Sequence, residues 1–258
     1  MANSNFVWHK LRQINKLPGA YRVYQWIMKM YLCDGQLVKI KRGPIAGYSW
    51  RHYQCYQPWM ALGSYEPDVA NFIFSRLQPS QCFFDVGANA GYFTLIGAKK
   101  VGPKGKVIAF DPVPQNVKTI QEQVALNDLK GFCWIESLAI SSFNGKTKLT
   151  IPDRNANAHL TNIEAPHVKS SNHSIIEVEC VTLDDYITNH ESPDFIKVDI
   201  EGAEVEALRG AVKLMRKAPE WLITAHSAEL ADEVVDLLKA ANYQITDFPH
   251  MIHGIPSR

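Results

Sequence analysis

The sequence predicts an α/β fold with a doubly wound, mostly parallel sheet, and three observations carry that expectation. Short apolar runs alternate with segments of helical periodicity from residue 67 to residue 248, the pattern of repeated βαβ units. Three of those runs end in a carboxylate, Asp85, Asp111 and Asp199, and parallel sheets bind ligands at the carboxyl ends of their strands. The first run leads into a glycine turn, Gly87-Ala-Asn-Ala-Gly91, that opens a helix. At 258 residues the chain can hold one large domain with a full core.

The elements follow in order. Residues 67–77 read as a helix, with Pro67 at its start and Val69, Phe72, Ile73 and Leu77 on one face. Phe83, Phe84 and Val86 mark a buried strand over 82–86, followed by a helix from Tyr92 to Lys99. A second strand spans 107–111, and a helix over 114–127 carries Val117, Ile120 and Val124 as its buried stripe. A third strand is expected over 133–140. The rhythm then breaks: 146–151 and 175–181 alternate like half-exposed strands around a polar loop holding Asn155, Asn157, His159, Asn162 and His167. This reads as an inserted hairpin that covers a site. The βα rhythm returns with a strand at 194–199 and a helix from Ala203 that turns Val205, Leu208, Val212 and Met215 inward. A strand at 221–225, a helix at 230–241 and a last strand at 243–248 complete the pattern.

Residues 1–60 read as an N-terminal extension and 61–258 as the domain. The extension is basic up to residue 42, with Lys10, Arg12, Lys16, Arg22, Lys29, Lys39, Lys41 and Arg42 against Asp34 alone, although the whole chain carries only +1. It is either a solvated, partly helical appendage or, through the interleaved Trp8, Leu11, Ile14, Trp26, Ile27 and Tyr31, a peripheral contact for an anionic membrane or acidic substrate. No apolar run reaches transmembrane length and no signal-peptide pattern is present. Cys33, Cys55, Cys82, Cys133 and Cys180 lack CxxC spacing, which points to reduced thiols, a cytoplasmic setting and no zinc. No nucleic-acid reader motif occurs.

The glycine turn lets backbone approach a nucleotide-like ligand, with helix N–H groups aimed at it. Asp111, at the end of the next strand, is placed to accept two hydrogen bonds from a ribose diol. A dinucleotide fingerprint needs glycine at 87, 89 and 92, but Asn89 and Tyr92 stand there. Gly102-Pro-Lys-Gly-Lys106 lacks the spacing of a P-loop. An acid before the turn, with no phosphate-binding group, suits a cofactor with a cationic centre and an amino-acid tail. S-adenosylmethionine is such a cofactor.

Asp85-Val-Gly-Ala-Asn-Ala-Gly91 together with Lys197-Val-Asp-Ile-Glu-Gly-Ala-Glu204 resembles the FkbM family of S-adenosylmethionine-dependent methyltransferases. The likeness extends over Gly63-Ser-Tyr-Glu-Pro67, Ala109-Phe-Asp-Pro-Val-Pro-Gln-Asn116, Thr182-Leu-Asp-Asp185 and Leu208-Arg-Gly-Ala211. It implies a class I, Rossmann-like methyltransferase fold with a seven-stranded sheet, and methyl transfer to a hydroxyl of a sugar or natural product. By that resemblance Glu66, Asp85, Gly87, Ala88, Asn89 and Gly91 hold the methionine part of the cofactor. Asp111, Pro112 and Asn116 lie at the ribose, Ala139 and Ile140 flank the adenine, and Asp199 stands at the methyl-transfer centre. The family commonly carries Glu where Asp111 stands, so the reach to the ribose is shorter here.

Transfer to an aliphatic hydroxyl is helped by a base. His226, after the strand at 221–225, is the expected one and Asp199 its competitor, while Lys197, on the same side of its strand as Asp199, can pair with a carboxylate and hold it ionised. Asp199 and His226 lack a convincing third metal ligand, so no metal is expected. The loop 152–174 and the aromatic residues Tyr48, Trp50, His52, Tyr53, Tyr56 and Trp59 are expected to form a pocket for a small-molecule acceptor. A nucleotide-dependent oxidoreductase and a non-catalytic binding protein of the same fold are the alternatives. Oligomeric state is left open.

Overall fold

The computed structural model describes residues 31–152, 159–160, 173–248 and 251–257. The chain begins with β1 (Gln36–Lys39), β2 (Ser49–His52), α1 (Pro58–Ala61) and α2 (Pro67–Arg76). It continues through β3 (Cys82–Val86), α3 (Tyr92–Val101), β4 (Lys106–Phe110), α4 (Pro114–Ala125), β5 (Cys133–Glu136) and β6 (Ala139–Ile140). β7 (Gly145–Pro152), β8 (His159–Leu160), β9 (His173–Val181), α5 (Leu183–Tyr186) and β10 (Phe195–Val198) follow. The last elements are α6 (Glu204–Arg209), α7 (Val212–Met215), β11 (Glu220–Ile223), α8 (Ala228–Ala240), β12 (Tyr243–Phe248) and β13 (Met251–Pro256).

The expected doubly wound α/β fold is present. A 7-stranded sheet runs in the order β12-β13-β11-β10-β3-β4-β5. β11, β10, β3, β4 and β5 are parallel. β13 is antiparallel to both of its neighbours. The parallel strands are apolar on both faces because helices cover both. Phe83 and Phe84 therefore point into different clusters, Phe83 toward Leu95, Ile96 and Ile120 and Phe84 toward Leu208, Leu214 and Leu238.

Four expectations are corrected. The expected strand 133–140 is two: β5 stays in the main sheet, while β6 leaves it to pair with β9 in a second sheet of order β6-β9-β7-β8. The expected helix from Ala203 breaks into α6 and α7. Gly210, between them, passes so close to Ser141 that a Cβ would lie 2.2 Å from its carbonyl oxygen. The break turns Val212 outward, to 48% exposure, while Leu208 and Met215 stay buried. Residues 243–248 are not the last strand, because β13 inserts between β12 and β11. Its glycine and proline weaken the strand pattern of that segment.

The fourth correction concerns residues 31–60, the described part of the extension. Ile40, Ile45, Trp50 and Tyr56 are buried in the same core cluster as Phe83 and Leu95. Polar side chains near the end of α4 hold this segment by pairing with the backbone of β2. Gln123 accepts from the Arg51 N–H at 3.0 Å and donates to the Arg51 carbonyl at 2.7 Å. Asn127 does the same for Ser49, at 2.8 and 2.9 Å. Backbone groups that a lone hairpin would leave to water are thus satisfied from the helix. Trp8, Leu11, Ile14, Trp26 and Ile27, and with them most of the proposed membrane contact, lie outside the described residues. No helix among the described residues is long and apolar enough to cross a membrane.

Candidate active site

The turn after β3 is built on backbone conformations that exclude most side chains. Gly87 has φ +81°, and a Cβ there would lie 1.9 Å from the Asp199 carbonyl oxygen, so only glycine lets β3 and β10 deliver their ends to one place. Asn89 is also left-handed, at φ 54°, and Gly91, at φ +87°, caps α3. The N–H groups of Gly87 and Ala88 both donate to the Phe110 carbonyl, at 2.9 and 3.0 Å. The turn is therefore tied to the end of β4, and Asp111 follows directly.

A cavity of about 220 Å³ opens at these strand ends. Of the residues expected at the site, Gly87, Ala88, Asn89, Asp111, Pro112, Asn116, Ala139, Ile140, Lys197 and Asp199 line it. Asp85, Gly91, Glu66 and His226 do not. Asp85 sits within β3, fully buried, and accepts from the Thr94 hydroxyl at 2.7 Å. It lies behind the cavity wall, where it meets Lys197 rather than a ligand. Gly91 acts through the helix it caps. Glu66 occupies the left-handed N-cap of α2, at φ 36°.

Asp111 is 4% exposed and held on both oxygens. Oδ1 accepts from the Val113 N–H at 2.9 Å and the Asn116 amide at 3.0 Å. Oδ2 accepts from the Asn89 N–H at 2.8 Å. With Oδ1 filled, one lone pair of Oδ2 remains. For the expected ribose diol, Oδ2 thus keeps room for one hydrogen bond beside those from the protein. Burial pushes the Asp111 carboxyl up to about 6 against those three hydrogen bonds.

Lys197 stands on the opposite wall, its Nζ 3.7 Å from Asp85 Oδ1 and 3.6 Å from Asp199 Oδ2, and 4.9 Å from the centre of the Phe93 ring. Burial opposes its charge, but Asp199, Asp85 and Glu66 outweigh burial and raise its pKa. His226 Nδ1 lies 3.0 Å from Glu204 Oε1, and Nε2 lies 3.5 Å from Asp199 Oδ1 and 3.4 Å from Glu201 Oε2. Burial would lower the His226 pKa, but the hydrogen bond to Glu204 and the charges of Glu204, Asp199 and Glu201 raise it to about 9. An imidazolium that already holds its proton at neutral pH cannot accept another. The raised pKa weighs against the expected general base and suits a cation paired with the acidic wall.

Glu204, quoted in the sequence motif but given no role there, organises this wall. It is fully buried, and Oε1 also accepts from the Ile200 and Gly202 N–H groups at 3.1 and 3.2 Å. The tight turn it closes carries Glu201 at φ 55° and Gly202 at φ 106°. Tyr65 and Glu201 also line the cavity. Both lie inside stretches quoted for the family resemblance, Gly63–Pro67 and Lys197–Glu204, without a role of their own there.

The expected acceptor pocket is partly corrected. Among the six aromatic and histidine residues assigned to it, Tyr56 alone lines the cavity. Trp50 is 1% exposed, with its ring edge-on to Tyr92 at 6.1 Å, and His52 is 3% exposed. Both belong to the core. The hairpin does reach the cavity, through Leu149 of β7. His159 pairs with Thr150 in the β7–β8 ladder, and residues 153–158 and 161–172 lie outside the described residues.

The side chains fit a ligand with a ribose and a cationic centre. Asp111 Oδ2 has acceptor capacity left, and Asn89 Oδ1 is shielded from solvent without a hydrogen-bond partner. Around the other wall, where Lys197, Asp199 and Glu201 line the cavity, Glu66, Asp85, Asp199, Glu201 and Glu204 outnumber Lys197 and His226. The profile of the Methyltransferase FkbM domain matches residues 85–245. The chain is 29% identical over 160 residues to Methyltransferase 1 of Beauveria bassiana, covering 55% of this chain and 61% of that one. It is 27% identical over 170 residues to methyltransferase sdnD of Sordaria araneosa, covering 55% and 63%. With the hexuronic acid methyltransferase AglP of Haloferax volcanii it shares 24% over 178 residues, covering 68% and 69%. The chain thus spans less than two thirds of the length of the first two relatives. It belongs to the FkbM methyltransferase domain family, and the cofactor whose ribose and cationic sulfonium these walls fit is S-adenosylmethionine.

Proposed function

We propose that this chain transfers a methyl group from S-adenosylmethionine to a hydroxyl of a small molecule, a sugar or related natural product. The observation that carries the reading is Asp199, which lines the cavity across from Asp111 with Lys197 and His226 on either side of its carboxylate. When bound, the cofactor supplies an electrophilic methyl carbon on a sulfonium. The acidic wall favours that positive charge, and holding the two reactants in line contributes much of the rate. Asp199, oriented by both cations, would take the acceptor's hydroxyl proton. His226 and Lys197 position that carboxylate. The relative named as a hexuronic acid methyltransferase supports a sugar-derived acceptor.

The test is transfer of labelled methyl from S-adenosylmethionine to a panel of mono- and oligosaccharides with free hydroxyls. Asp199→Asn is expected to lower turnover by about 10²–10⁴-fold, the range for loss of a general base, with binding of S-adenosylhomocysteine retained. Label appearing only on amines or carboxylates, or full activity in Asp199→Asn, would overturn the reading.

A further inference from the structure

Tyr56 lies outside the stretch that matches the family profile, which starts at Asp85, yet it reaches the most ordered part of the cavity. Its side chain is 5% exposed, and its hydroxyl donates to Asn116 Oδ1 at 2.7 Å. An asparagine amide accepts on one side and donates on the other. The Asp111 carboxylate can only accept, so Asn116 turns its NH₂ to Asp111 Oδ1, at 3.0 Å, and leaves its own Oδ1 for the phenol proton. The Val113 N–H fills the same oxygen, and the Asn89 N–H takes one lone pair of Oδ2. A flipped amide would set oxygen against carboxylate, and the phenol proton on Oδ1 adds a second tie in the unflipped orientation.

The phenol oxygen has capacity of its own. Burial pushes the Tyr56 pKa well up, so the group keeps its proton and spends it on Asn116. The nearby Thr119 hydroxyl, 3.3 Å away, donates instead to the Gln115 carbonyl at 2.9 Å. Tyr56 lines the cavity, and a phenol oxygen that donates its proton to Asn116 keeps a lone pair with which to accept.

We propose that Tyr56 is a ribose-positioning residue: it aims Asp111 through Asn116, and its own oxygen accepts the second hydroxyl of the diol. Asp111 Oδ2 and Tyr56 Oη then read the two ribose hydroxyls, one from the sheet and one from the N-terminal segment. The docking of residues 31–60 onto α4 becomes part of cofactor recognition rather than of packing alone. This rests on the assignment of S-adenosylmethionine above.

The experiment is calorimetric titration of the wild type and Tyr56→Phe with S-adenosylhomocysteine and with its 2′-deoxy and 3′-deoxy analogues. Tyr56→Phe is expected to bind S-adenosylhomocysteine about tenfold more weakly, the scale of one hydrogen bond. Against the deoxy analogue that lacks the hydroxyl facing Tyr56, the loss is expected to be clearly smaller. A variant that binds S-adenosylhomocysteine as tightly as wild type overturns the proposal. So does one that loses the same factor against all three ligands, the signature of a structural role. Thermal unfolding reports whether the variant is folded. If it is not, Asn116→Ala takes its place, with the same outcomes deciding. Wild-type protein that ignores S-adenosylhomocysteine would overturn the cofactor assignment itself, a result distinct from a variant that binds it unchanged.

Discussion

Lys197 stands opposite Asp85 in the register of the β10–β3 pair, and its ammonium lies between Asp85 Oδ1 at 3.7 Å and Asp199 Oδ2 at 3.6 Å. One fully buried cation thereby joins the acid behind the wall to the acid that faces the cavity. Parallel pairing brings the two strands into step, and the two-residue repeat of β10 continues to Asp199.

Removing that cation leaves Asp85 buried without its counter-charge. Lys197→Met is expected to destabilise the fold by about 3–5 kcal/mol at pH 7, the cost of breaking a buried pair from one side. Burial already pushes the Asp85 carboxyl up, with Lys197 opposing it, so the lone acid should protonate more readily still. The deficit should therefore shrink as pH is lowered, and denaturant unfolding at pH 5 and pH 7 measures it. An equal deficit at both pH values would contradict this account.

His226 gives a second pH signature. Its folded pKa, about 9, lies above the ordinary value of 6.5, so its stabilisation is fully present below pH 6.5 and is lost as pH rises through about 9. A shift of that size corresponds to about 3 kcal/mol. His226→Gln should be less stable than wild type at pH 6, with the gap closing toward pH 9.5. At saturating S-adenosylmethionine the pH–rate profile should lack an ascending limb at the usual histidine range and should fall above pH 9.

Asp111→Ala is expected to weaken S-adenosylhomocysteine binding by about 1–3 kcal/mol. With the Asp111 carboxyl at about 6, wild-type affinity should hold above that pH and decline below it as the carboxylate protonates. The variant should lack that decline. Calorimetry across pH 5 to 8 provides the check.

Trp50 separates core from pocket. Trp50→Ala should cost about 3–5 kcal/mol of stability, as expected for a large buried aromatic. In protein that remains folded, the relative turnover of different acceptors should not change. A changed acceptor preference with intact stability would restore Trp50 to the pocket.

The parallel sheet was legible because strands buried on both faces are apolar throughout, as Cys82–Val86 is, and because helices keep their own period. The turn at Gly87 was legible because its backbone can be occupied by very few residues, which leaves a local mark in the sequence. Ala139, Ile140 and Asp199 were placed at the cavity by family resemblance, and they line it. What needed the folded chain was whatever depends on distance in space. Periodicity on α4 cannot say that Gln123 and Asn127 hydrogen-bond β2, because polar residues on a helix read as solvent-facing. His226 carries the residue type of a general base, and only three converging carboxylates make it a cation. Tyr56 read as one aromatic among several, until a 2.7 Å hydrogen bond to Asn116 placed it beside Asp111. Sequence by itself determined the parallel strands of the main sheet and the strand-end acids, since these follow from local burial and backbone conformation. Tertiary structure alone decided which of those acids face the cavity and which groups set their charge, because burial and Coulomb interactions depend on neighbours that are remote along the chain.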